Sequence, residues 1–166
     1  MLTRSGRAPK LAPHKSGQSP AERQIGMFTN TISVTIEWGH CDPAKIVFYP
    51  NYFTWFDQAT RHLFEAAGVG YDVMLNEYRI VGLPLVDAQA KFMSPSQFGD
   101  TIEITSHVSE WRRRTLVVTH EVTNAGTAAV HGEEIRIWAA ADRDRTGGLI
   151  SGDIPQDFRV RFGAAN

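Results

Sequence analysis

The residue types best suited to chemistry in this chain are two carboxylates and one basic cluster. Asp42 lies in the turn-like segment Gly39-His40-Cys41-Asp42-Pro43, and Asp57 lies further on beside Trp55 and Phe56. A carboxylate can attack an electrophilic carbon or take a proton from water. Either route needs donors where negative charge develops on oxygen, and a helix N-terminus supplies them through its free N–H groups and dipole. Helical spacing begins just after Phe48-Tyr49, so such donors fall close to Asp42 in the chain. Asp before Pro is also common in turns, and spacing alone leaves a turn or cap role for Asp42 open. His40 reads equally as a base or as a structural residue. Cys41 reads as packing, because adjacent residues of an extended turn point different ways. For Asp57, a pair with Arg61 one helical turn on competes with a place beside a substrate pocket, since an unpaired charge on an apolar helix is costly.

These residues need elements to hold them. Ile32, Val34, Ile36 and Trp38 alternate with polar residues and predict a strand. After Asn51 the period changes: Tyr52, Phe56, Ala59, Leu63 and Ala66 or Ala67 recur at helical spacing, Trp55 and Phe64 widen the apolar face, and Gly68 is the expected stop. Tyr71 to Leu75 predicts another turn or two of helix, and Gly82-Leu83-Pro84 ends it. Strands follow, with alternating Val86, Ala88, Ala90 and Phe92; then Ile102, Ile104 and Val108; then Leu116, Val118 and Val122. Asn124-Ala125-Gly126 is a hairpin turn, and Ile135, Ile137 and Ala139 line one side of the last long strand. Ile154 to Phe162 reads as a short helical turn or an edge segment. The expected class is α+β: a curved antiparallel sheet of about five strands wrapped around one long apolar helix. Its uncovered edges favour oligomers.

Composition narrows the function classes. The chain has 166 residues, a formal charge of −1 and a single cysteine, which fits one domain in a reducing compartment without a disulfide framework. Residues 1–26 are rich in Gly, Pro, Ser and scattered Arg and Lys and are expected to form a flexible N-terminal extension; residues 27–166 form the domain. No apolar run is long enough to span a bilayer. His14, His40, His62, His107, His120 and His131 show no metal-ligand spacing, so neither metal nor other cofactor is expected. Arg112, Arg113 and Arg114, flanked by Glu110 and Glu121, are too narrow a basic face for nucleic acid.

The run from Glu37 to Tyr52, with its Asp42-Pro43-Ala44 and Tyr49-Pro50-Asn51-Tyr52 segments and the following Trp55-Phe56-Asp57, resembles the signature of hotdog-fold acyl-CoA thioesterases. Within them it is most similar to the Asp-dependent 4-hydroxybenzoyl-CoA thioesterase family. Glu110-Trp111-Arg112-Arg113-Arg114 agrees with a second segment of that family. The resemblance implies dimers that join their sheets and pair into a homotetramer, with sites at the dimer interface. It puts the family's catalytic Asp on Asp42 and the oxyanion-directed backbone N–H on Tyr49. Lys45 departs from the family's usual Gly.

The implied activity is hydrolysis of an aroyl-CoA thioester, 4-hydroxybenzoyl-CoA or a close analogue, in the cytoplasm. Asp42 then acts as nucleophile or base, and Trp38, Phe48 and Tyr52 are candidate walls for the acyl group. The resemblance also offers Asp57 as a partner for a ring hydroxyl. Trp111 and the three arginines suit the adenine and phosphates of CoA. A thioesterase for short-chain or other acyl-CoAs and a non-catalytic acyl-CoA-binding module are the alternatives; acyl-thioester dehydration has no clear match in His40.

Overall fold

The computed structural model describes residues 27–142, 144 and 147–164. The extension expected at 1–26 lies outside them. Strand β1 (Thr29–Thr35) alternates Thr or Ser with Ile32 and Val34, which are half-buried, and delivers the fully buried Ile36. A single 3-10 turn at Trp38–His40 and a tight loop lead to α1 (Pro50–Ala66). Pro50 at the first helical position has its φ preset and lacks only an N–H that no helical carbonyl could accept. Gly68, at φ +73°, ends the helix in the left-handed region. Then come α2 (Tyr71–Asn76), β2 (Leu85–Phe92), β3 (Thr101–Trp111), β4 (Thr115–Asn124) and β5 (Thr127–Ile137). A small β6 (Ala139–Ala141) and β7 (Leu149–Ser151) hairpin and α3 (Gln156–Val160) complete the chain.

The main sheet has the order β1-β3-β4-β5-β2 and is antiparallel throughout. Ala125 and Gly126, both at positive φ, turn β4 into β5. Helix α1 buries Tyr52, Trp55, Phe56, Ala59, Thr60, Leu63 and Phe64, a stripe at three- and four-residue spacing. Two apolar clusters form beneath it. Around its N-terminal half, Tyr52, Trp55, Phe56 and Ala59 meet Ile36, Val47, Ile102, Ile104, Val122 and Val130. Around its C-terminal half, Leu63 and Phe64 meet Val108, Leu116, Val118, Trp138, Phe158 and Phe162. Each fully buried side chain of this size stabilises by about 1.5–3 kcal/mol.

A polar seam separates the clusters. Ser106, between Ile104 and Val108 on β3, meets His120, between Val118 and Val122 on β4; His120 meets Glu134 on β5. The helix-facing side of β5 is therefore Val130, Gly132, Glu134 and Arg136, all buried, whereas Ile135 and Ile137 lie half-buried on the opposite face. Gly132 is required here, since a Cβ would stand 2.4 Å from the Phe56 ring. The outermost strand β2 carries a bulge between Leu85 and Asp87, and Leu85, Val86 and Phe92 on it are exposed.

Candidate active site

Asp42 heads a loop closed by backbone pairing. Its N–H donates to the Ile46 carbonyl at 2.9 Å, and its own carbonyl accepts the Lys45 N–H at 2.8 Å. The Ala44 N–H donates to Asp42 Oδ1 at 2.8 Å, which fixes the side chain in an Asx-type turn. Asp42 Oδ2 has no hydrogen-bond partner among the described residues. The carboxylate is thus aimed by one oxygen and left with lone pairs on the other.

The loop runs directly into the start of α1. The Phe48 N–H and the Asn51 side-chain amide both donate to the His40 carbonyl, at 2.8 and 2.9 Å, and tie the helix start to the segment before Asp42. Tyr49 caps the helix in helical geometry, Pro50 has no N–H, and the Tyr49 N–H donates to no group among the described residues. That orphan donor sits where the helix dipole is positive. Asp42, Tyr49 and Tyr52 together line a cavity of about 500 Å³ with Ile46, Val47, Phe92, Met93 and Ser96. Burial pushes the Tyr52 phenol up from its ordinary value, so it is a neutral hydroxyl at neutral pH. The hydroxyl of Ser96, buried in the same wall, opposes that rise, and no other group partners it among the described residues.

His40 turns away from this chemistry. Its Nδ1 accepts the Glu37 N–H at 2.9 Å, and its ring stands edge-on to Trp55 at 5.3 Å. Cys41 pairs with Val47 through the backbone and packs against the N-terminal cluster. Trp38 is 78% exposed, edge-on to Phe98; with Asp42 and Lys45 they border a second cavity on that loop. Phe48 is exposed and does not line the Asp42–Tyr49 cavity. Phe92, Met93 and Ser96 were not singled out from sequence. They arrive because the Val47 N–H donates to the Ser96 carbonyl and Ile46 bridges Gln97, a pairing that no local pattern announces.

The fold and this geometry can be set beside known proteins. The family model of the thioesterase-like superfamily matches residues 36–161. The 4-hydroxybenzoyl-CoA thioesterase of Pseudomonas sp. (strain CBS-3) is 34% identical over 134 residues, 77% of this chain and 93% of that protein. The chain belongs to the thioesterase-like superfamily. The three-dimensional structure of the Pseudomonas enzyme superposes with a TM-score of 0.73, at 34% identity, over 80% of this chain and 98% of that one. A gentisyl-coenzyme A thioesterase superposes at 0.67, with 29% identity over 78% of this chain and 99% of its own. The hotdog architecture and the thioester hydrolase activity that the motif implies are those of this superfamily.

In this thioesterase the remaining candidates stand away from Asp42. Asp57 pairs with Arg136 at 2.6 Å and not with Arg61, which pairs with Glu65. It lines a separate cavity of about 280 Å³ with Thr60, Arg61, Tyr71 and Leu83, sharing no residue with the Asp42–Tyr49 cavity. The basic triplet forms the β3–β4 turn, at the end of β3 opposite to the one that pairs with Thr35. At about 3.4 Å per residue, that puts it on the order of 30 Å from the Asp42 end of the same strand. Arg112 binds Glu110 in a fork, at 3.0 and 2.8 Å, while Arg113 and Arg114 share Asp153. Trp111 packs against Phe158 and Phe162, with the Arg159 guanidinium over its ring at 5.8 Å. No helix among the described residues is long and apolar enough to cross a membrane.

Proposed function

We propose that this chain hydrolyses an aroyl-CoA thioester, 4-hydroxybenzoyl-CoA or a close analogue, to the free acid and CoA. One observation carries the reading: a turn-fixed carboxylate with a free oxygen and an unpaired helix N-terminal N–H share one cavity. Asp42 is the nucleophile or the general base, and the Tyr49 N–H donates to the thioester oxygen as charge develops there. Such a donor contributes about 2.7–4 kcal/mol in acyl transfer. Tyr52 forms an apolar wall, with the neighbouring Trp38 and Phe48 available as further walls in an assembled site. The Pseudomonas relative carries the substrate in its name, and a structure at 33% identity holds 4-hydroxybenzoyl CoA.

The site is shared between copies of the chain. Asp57 lines a cavity that shares no residue with the one holding Asp42 and Tyr49, and nothing among the described residues of a single copy joins the two. Asp57 therefore meets the ring hydroxyl of a substrate held by the Asp42 of another protomer. The same reasoning assigns Trp111, Arg112, Arg113 and Arg114 to the nucleotide of a CoA bound elsewhere in a cytoplasmic homodimer or homotetramer. Surface ion pairs such as those of the triplet contribute little to stability and yield readily to phosphates. A non-catalytic acyl-CoA-binding module has no use for the aimed carboxylate, and a short-chain thioesterase has none for Asp57.

The test is Asp42→Asn, which keeps the shape and removes nucleophile and base together. Thioester cleavage is expected to fall by at least about 100-fold. Binding of a non-hydrolysable acyl-CoA analogue should change by less than about tenfold, the size of one modest contact. Near-normal cleavage would end the assignment.

A further inference from the structure

The polar seam beneath α1 does more than fill space. Arg136, whose side chain is only 9% exposed, spends its fork on three acceptors. Its Nε and Nη2 donate to the two Glu134 oxygens at 3.0 and 3.1 Å, its Nη1 to the Leu83 carbonyl at 3.2 Å, and its Nη2 also to Asp57 Oδ1 at 2.6 Å. Glu134 is itself fully held: Thr60 Oγ1 donates at 2.7 Å, and His120, braced by Ser106, lies 3.3 Å away. The Phe56 ring stacks flat on His120 at 4.6 Å and closes the seam. Every member is hydrogen-bonded, and the chain of contacts ends on one group that faces outward, the Asp57 carboxylate.

The charge arithmetic shows what that end is for. Glu134 already neutralises Arg136 inside the fold, so Asp57 is not needed to satisfy a buried cation. The Asp57 side chain is 70% exposed, and its Oδ2 has no hydrogen-bond partner among the described residues. A buried Arg–Glu pair is also no better for stability than apolar residues of the same shape. The pair is thus a costly device whose visible product is one carboxylate, oriented at the mouth of a cavity and carrying an uncompensated negative charge.

We propose that Arg136, locked by Glu134, is a positioning residue that fixes Asp57 as an acceptor for a neutral O–H donor on the acyl group, making the enzyme select hydroxylated aroyl thioesters over unsubstituted and carboxylated ones. This rests on the reading of Asp57 as part of the acyl pocket. The Arg136–Glu134–Asp57 group carries one net negative charge that disfavours an anionic substituent, and an unsubstituted ring leaves Asp57 Oδ2 stripped of water without a partner. Hydrogen bonds to charged groups discriminate strongly, and an absent donor leaves the acceptor's desolvation uncompensated.

The experiment compares kcat/KM for 4-hydroxybenzoyl-CoA and benzoyl-CoA in four proteins: the full chain, Asp57→Asn, Arg136→Lys, and the double variant Glu134→Gln/Arg136→Met. The double variant removes both buried charges together and so avoids stranding one. The hydroxyl preference is expected to fall by about tenfold or more in all three variants. Lysine does not rescue it, because one ammonium cannot fork between Glu134 and Asp57. A purely structural ion pair would lower the thermal midpoint and depress both substrates alike, leaving the ratio intact. If Asp57→Asn lowers the ratio and both Arg136 variants leave it unchanged, the positioning role is wrong and the pocket reading stands. If Asp57→Asn itself leaves the ratio unchanged, the pocket reading fails and takes this proposal with it.

Discussion

Lys45 has a left-handed backbone, at φ +65°, in the loop that aims Asp42. An L-residue there is disfavoured by about 1–2 kcal/mol, of which the greater unfolded-state freedom of glycine returns part. Lys45→Gly is therefore expected to raise stability by about 0.5–1 kcal/mol, read as a higher urea midpoint at unchanged slope. A lower midpoint would mean that the lysine makes a contact worth more than the strain. Gly132 is the opposite case, since its hydrogen faces Phe56 with no room behind it. Gly132→Ala should cost about 1–3 kcal/mol as the ring is forced aside; an unchanged thermal midpoint would show that Phe56 moves freely. At this scale the sequence was legible where a motif was: it singled out Asp42 and Tyr49, which line one cavity, while their roles in catalysis remain a proposal. It was silent on Ser96, Phe92 and Met93, because a cavity wall made by a connector meeting a loop has no period to detect.

Strand β5 shows where pattern reading goes astray. Ile135 and Ile137 look like the inward residues, yet the helix-facing positions are Gly132, Glu134 and Arg136. Hydrophobicity misreports the buried face because the buried residues satisfy one another as a charged, hydrogen-bonded set. Gly132 within a run of larger residues was the available signal, since a strand glycine often marks a close approach. The seam carries its own pH signature. Burial alone would raise the Glu134 carboxyl, but hydrogen bonds from His120 and Arg136 and the Arg136 charge hold it down, from 4.5 to about 2. A depressed carboxyl contributes stability above its unfolded value, and the contribution is lost as pH falls through the folded one. Unfolding free energy should thus drop by about 3 kcal/mol from this group alone between roughly pH 5 and pH 2. In Glu134→Gln that acid limb should flatten, although the variant starts less stable. An equally steep limb in the variant would assign the acid sensitivity to other carboxyls. The elements themselves, from α1 to the five-stranded sheet and the Asn124–Thr127 turn, were legible because alternation and helical spacing there are regular.

Over the whole molecule, the basic triplet and Asp42 stand toward opposite ends of one sheet, so the proposed sharing of the site between copies can be tested by complementation. Asp42→Asn subunits mixed with Arg112→Ala/Arg113→Ala subunits should regain cleavage at low substrate after subunit exchange, because some mixed sites pair an intact Asp42 with an intact triplet. No regain would mean that each chain works alone. The strand order also dictates a sequence of events in time. Strands β3, β4 and β5 form one continuous meander joined by short turns, whereas β1 and β2 join its outer edges only after far longer loops have closed. Loop closure favours the meander as the folding nucleus, with the two flanking strands docking late. Val118→Ala, in the middle strand, should therefore slow refolding, while Ile32→Ala on β1 should chiefly hasten unfolding in a stopped-flow chevron. The carboxylate loop follows β1, so catalytic competence would be the last thing the newly made chain acquires.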